Sequence, residues 1–117
     1  MGLPREDSTY SWTYHVADKM RFYGISEGRI RRIIRHPARV EEGIAPATVA
    51  VMSPAGTKRY QEIWIMYKFV KSANVKLKSK LGGKPKIKVI TAWRYPGKSP
   101  ERDPVPADVL REVQRLL

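Results

Sequence analysis

Apolar positions first recur at helical spacing between Tyr14 and Tyr23, where Val16, Met20 and Tyr23 share a face with Ala17 beside them. Gly24 closes this stretch, as a glycine just past a last helical turn does, because it enters the left-handed region without a Cβ penalty. Ser26 then offers its side-chain oxygen to the free amides of a second helix over 27–36. The buried stripe of that helix is Ile30, Ile33 and Ile34, with Arg29, Arg31, Arg32 and Arg35 on the remaining surface. Pro37 ends it by pushing the preceding residue out of helical space. Two short helices joined at Gly24-Ile25 predict a helical hairpin.

Beyond Pro37 the period shortens. Residues 38–44 and 47–53 predict short strands, and SPAG (53–56) is turn chemistry. Residues 58–70, KRYQEIWIMYKFV, are apolar on both faces through the middle, the pattern of a central strand. Residues 86–95, KIKVITAWRY, are β-branched and aromatic and predict another. After a loop over 95–104, Pro106 suits a first helical turn, and Val109, Leu110, Val113, Leu116 and Leu117 make a final amphipathic helix. Residues 1–13 have no period and read as a flexible arm. Residues 14–117 read as one α+β domain: an N-terminal helical hairpin packed on a small antiparallel sheet of three or four strands, then a C-terminal helix.

Charge changes the picture more than composition does. The net charge is +12, and it is segregated. Residues 1–57 hold 8 basic and 6 acidic side chains, residues 58–100 hold 12 and 1, and residues 101–117 hold 3 and 4. Between the two long strands, residues 71–88 carry 7 lysines and no acid: Lys71, Lys76, Lys78, Lys80, Lys84, Lys86 and Lys88. Val75 to Lys78 alternate at period two and Gly82-Gly83 can turn tightly, so this segment reads as a basic β-hairpin or a basic loop. Either form sets up a directional field that suits a polyphosphate, with RNA the expected partner. Arg32 and Arg35 add to the same basic surface. An acidic protein would answer the same field.

Other chemistries find no footing. With no cysteine there are no disulfides or thiolate metal sites, which fits a reducing, cytoplasmic setting. MGLPREDSTYSW has no apolar run of a signal peptide, and no later run suits a membrane span. HExxH, P-loop and GxGxxG patterns are lacking and the carboxylates are scattered, so no metal or cofactor is expected.

A further pattern joins these parts: His15-Val-Ala-Asp-Lys-Met20, Gly24-Ile25-Ser26, Ile30, Ile33-Ile34 and Pro37, then Arg59-Tyr60 and Val89-Ile90-Thr91-Ala92. It resembles a family of small bacterial domains of unknown function related to the RelE-like and BrnT-like toxin nucleases. The likeness spans roughly residues 14–95. The chain departs from that pattern at Tyr23, where the family carries arginine, and in its lysine-rich insertion and C-terminal helix. The resemblance implies a RelE/BrnT-like fold, RNA as target and an acidic antitoxin-like protein as partner, with His15 and Thr91 on family positions.

Metal-free RNA cleavage needs a base for the 2′-hydroxyl, cations for the charged phosphorane and an acid for the leaving oxygen. Histidine titrates in the right range. The candidates are His15 as acid or base, Lys68 and Arg94 as phosphate stabilisers, and Thr91 and Tyr95 as positioners. Lys19 and Phe22 follow His15 at i+4 and i+7, predicting a histidine–lysine–aromatic edge. His36, at the end of the second helix, has a simpler role as a group favoured by the helix dipole. The expectation is an RNA-interacting protein that acts as a metal-independent endoribonuclease. The competing expectation is a non-catalytic nucleic-acid-binding module in which His15 merely begins a helix.

Overall fold

The computed structural model describes residues 3–44, 46–70 and 85–116. Their elements are β1 (Tyr10–Trp12), α1 (Tyr14–Tyr23), α2 (Glu27–Arg35), β2 (Arg39–Glu42), β3 (Thr48–Pro54), β4 (Gln61–Val70), β5 (Lys86–Pro96) and α3 (Ala107–Leu116). The fold is α+β, with three helices on a five-stranded sheet ordered β1-β5-β4-β3-β2. Strands β2 to β5 form an antiparallel meander, whereas β1 pairs parallel to β5, so the sheet is mixed.

β1 draws residues 10–12 of the expected arm over 1–13 into the sheet, and it makes that sheet mixed and five-stranded rather than antiparallel with three or four strands. Tyr10 and Trp12 are buried and Ser11 between them is half-buried. Three residues are too few to show a period, and their pairing partners, Ile87 to Val89, lie far along the chain. Expected and observed bounds otherwise differ mainly at β4, which starts at Gln61 rather than at 58.

Alternation along the strands builds a core on each face of the sheet. One side gathers Val51, Ile63, Ile65, Val89 and Ala92 against Val16, Met20, Ile30 and Ile33 of the helical hairpin. The other gathers Ala50, Met52, Trp64, Met66 and Trp93 against Val109 and Val113 of α3. β4 is therefore covered on both faces, which accounts for its unbroken apolar run. At the β2–β3 turn, a Cβ on Gly43 would lie 1.9 Å from Thr48 Oγ1, so only glycine fits this close approach.

The way the chain enters α1 positions the site. β1 stops at Trp12, and Thr13 turns the chain into helix beside β5. The Thr13 amide bonds the Val89 carbonyl at 3.2 Å. Its hydroxyl donates to the Ile90 carbonyl at 2.7 Å and accepts from the Val16 amide at 3.0 Å, making Thr13 the N-cap. Eight residues past His15, the Tyr23 carbonyl accepts from Arg94 Nε at 2.9 Å. α1 thus runs along the β5 edge that β1 leaves uncovered. Gly24, at φ 66°, ends it as expected, and Ser26 caps α2 by accepting from the Arg29 amide. Among the described residues no helix is long and apolar enough to cross a membrane.

Candidate functional site

A β-bulge places the site. Strand pairing jumps from Met66↔Thr91 to Tyr67↔Val89, leaving Ile90 as the extra residue on β5. Ile90 and Thr91 consequently fall in succession on the side of the sheet that α3 covers, just where α1 begins. Thr91 is fully buried, and its hydroxyl lies 2.9 Å from His15 Nε2. Two residues 76 apart in sequence, both singled out from it, meet side chain to side chain.

α3 completes the cluster. Glu112 Oε2 lies 3.9 Å from His15 Nε2 and 2.7 Å from Lys19 Nζ. Lys19 Nζ sits 5.5 Å from the centroid of the Phe22 ring and 6.0 Å from that of Tyr23. The His15–Lys19–Phe22 edge of α1 therefore exists, with Glu112 set against it. Nothing in the sequence pattern singled out Glu112; only its i+3 position from Val109, one residue before the buried Val113, put it at the margin of the packed stripe.

His15 is not a helix cap, because Thr13 already fills that role. Burial first, and the Lys19 ammonium second, push the imidazole below its ordinary pKa of 6.5, against the opposing pull of Glu112 and Asp18. The ring is accordingly neutral at pH 7. Thr91 Oγ1 and the Glu112 carboxylate both approach Nε2, which favours the proton there and leaves Nδ1 as the acceptor. A threonine–histidine–carboxylate relay needs the acid and the hydroxyl on opposite ring nitrogens. Here they share one, and Thr91 is sealed from solvent. The arrangement suits a histidine base oriented by a threonine, not a threonine nucleophile.

Cations line the same side of the sheet beyond the end of this cluster. Lys68 stands opposite Lys88 across the β4–β5 pair, flanked by Thr48 on β3 and Ser11 on β1. Lys88 precedes Thr91 by three residues, about 7–10 Å along the strand. Two like charges directly opposite one another repel, and among the described residues neither lysine has a carboxylate partner. Lys86, two residues further out, is held by Glu6 at 2.8 Å. Lys71, Lys76, Lys78, Lys80 and Lys84 lie outside the described residues, in the segment that joins this end of β4 to β5.

The remaining candidates are placed elsewhere. Arg94 pairs with Ile63 and faces the helical hairpin, its guanidinium tied to the Tyr23 carbonyl and, at 3.4 Å, to Gln61 Oε1. Tyr95 shares the Thr91 face but sits four residues further along, opposite Glu62 and packed against the α3 core. Trp93 is a core residue, stacked on Trp64 at 6.0 Å with its indole N–H on the Pro104 carbonyl. Arg32 and Arg35 are exposed on α2, across the sheet from Lys68 and Lys88. His36 is exposed at the C-cap of α2, away from the contacts that define the His15 cluster.

A second polar cluster went unnoticed in the sequence. Glu62, the one acid between residues 58 and 100, is fully buried and accepts from Tyr60 Oη, Trp64 Nε1 and both the amide and hydroxyl of Ser99. Burial pushes its pKa up, but these hydrogen bonds outweigh it and hold the carboxyl below its ordinary value. Arg39 lies 3.6 Å from Glu62, stacks over Trp64 and bonds Ser99, Glu41 and the Pro100 carbonyl. Every oxygen of Glu62 is satisfied, so the cluster clamps the 97–103 loop to the sheet. A lone carboxylate in an apolar strand was the available signal.

Among the described residues no three histidine or carboxylate side chains converge as a metal site would require. No family model, curated protein or solved structure matches this chain.

Proposed function

We propose that the protein is an RNA-interacting, toxin-like protein of RelE/BrnT-like character that cleaves RNA without a metal, using His15 as the base. The reading rests on one observation: a neutral imidazole, oriented by Thr91, stands within a few residues of the Lys68–Lys88 pair, which has no carboxylate partner among the described residues. A strand whose phosphates lie along those lysines brings a 2′-hydroxyl toward His15. The imidazole takes its proton, the 2′-oxygen attacks the adjacent phosphorus, and the 5′-oxygen leaves with a proton from solvent. The products are a 2′,3′-cyclic phosphate and a 5′-hydroxyl. Lys68 and Lys88 offset the charge that grows on the phosphorane. Arg94 and Tyr95 support the elements that hold the site rather than the reacting atoms. The net positive charge also suits an acidic antitoxin-like partner.

Glu112 favours a second reading. Its carboxylate neutralises Lys19 beside His15, and a non-catalytic RNA-binding module tolerates that better than an enzyme does. Incubating unstructured RNA with the wild type and with His15→Gln separates the two. The nuclease reading predicts 5′-hydroxyl fragments from the wild type and a loss of roughly 10²- to 10⁴-fold in His15→Gln, with RNA binding kept. Binding without cleavage by the wild type assigns the protein to the module.

A further inference from the structure

α1 carries a large aromatic ring that the fold does not use. Phe22 is 76% exposed, although a buried stripe lies on the other side of the same helix. It stands on the ridge of His15 and Lys19, seven residues from His15, or about 10 Å along the helix axis. Tyr23 meets it in a T-shaped contact at 4.8 Å and 85°, and Lys19 Nζ lies over the ring 5.5 Å from its centroid, yet most of the ring's surface stays open to solvent.

The neighbours of Phe22 decide what fits there. Residues three and four back along the helix are Lys19 and Asp18, so Phe22 with the neighbouring Tyr23 ring makes a small aromatic face among charges, two turns away from the exposed Tyr14. A stable protein interface needs a patch of about 800 Å² per partner, far more than one ring. One nucleobase needs one ring, with a cation nearby for the phosphate that accompanies it.

We infer that Phe22 is a base-stacking platform, and that the RNA this protein takes is single-stranded. This deepens the RNA reading above and rests on it. A base stacked on Phe22 places the following stretch of backbone along α1 toward His15, which sets the register of the strand against the site. A duplex keeps its bases stacked on one another and offers none to the ring.

The test measures fluorescence anisotropy with a labelled, unstructured pyrimidine RNA and with a duplex of the same length. Four proteins are compared: wild type, Phe22→Ala, Phe22→Trp and Val40→Ala. Val40, 61% exposed on β2 at the opposite edge of the sheet, controls for loss of any surface apolar group. Phe22→Ala is expected to weaken single-strand binding about 5- to 100-fold and duplex binding little, with the salt slope unchanged. Phe22→Trp retains or tightens single-strand binding, and Val40→Ala matches the wild type. Because Phe22 is exposed, these variants keep the fold, which circular dichroism verifies. Equal losses on single strand and duplex, or none on either, overturn the assignment while RNA binding itself stands. Wild type that binds neither RNA removes the parent reading as well. A dimer that Phe22→Ala abolishes assigns the ring to a protein contact and also overturns the inference.

Discussion

At the scale of single residues, the balance of forces on His15 makes a measurable statement about stability. The fold disfavours the charged imidazole, so its folded-state pKa lies below 6.5, and the unfolded chain binds the proton first as pH falls. The associated stability is complete above about pH 6.5 and is lost as pH drops toward the folded-state value. Urea unfolding of the wild type and of His15→Gln is expected to diverge as pH falls below about 6.5, the wild type losing the extra increment. Parallel curves would show that the imidazole is not held neutral. Of this cluster, His15 and Lys19 were legible from residue type and helical spacing, whereas Thr91 was singled out by its place in the pattern that carries the resemblance. Glu112 was not, since its role comes from how α3 crosses the start of α1, which no local pattern encodes.

At the scale of elements, Thr13 couples helix to sheet. Its hydroxyl caps α1 and donates to the Ile90 carbonyl, while its amide holds Val89. Thr13→Ala is expected to destabilise the protein by about 1–2 kcal/mol, and Thr13→Ser to recover most of the loss. Chemical denaturation checks this, and a loss below a few tenths of a kcal/mol would mean that the cap is dispensable. The helices were readable because their signals are local: Gly24 and Ser26 at the ends, isoleucines at 30, 33 and 34 between. β1 was not, because Tyr10 and Trp12 become a strand only by borrowing the edge of β5. The bulge at Ile90 was hidden for the same reason, as it exists only in the register with β4. The aromatic rings divide in the same way: Trp93 is buried against Trp64 through the β4–β5 register, whereas Phe22 on α1 is exposed.

At the scale of the whole molecule, the described cations of the 58–100 stretch divide between the ends of the β4–β5 pair. Lys58, Arg59, Arg94 and Lys98 lie toward one end, and Lys68, Lys86 and Lys88 toward the other. Only the second end adjoins His15, and only there do two lysines face each other without a described carboxylate partner. The sequence showed how much positive charge there was but not how it was shared between the two ends, because that depends on the β4–β5 register and on Glu6 neutralising Lys86. The proposed function requires RNA to lie along Lys68 and Lys88. Its most direct test is the slope of log affinity against log salt concentration, for unstructured RNA, in the wild type and in Lys68→Gln/Lys88→Gln. Two lost phosphate contacts are expected to reduce the magnitude of the slope by about 1.4. A slope identical to the wild type's would contradict the claim.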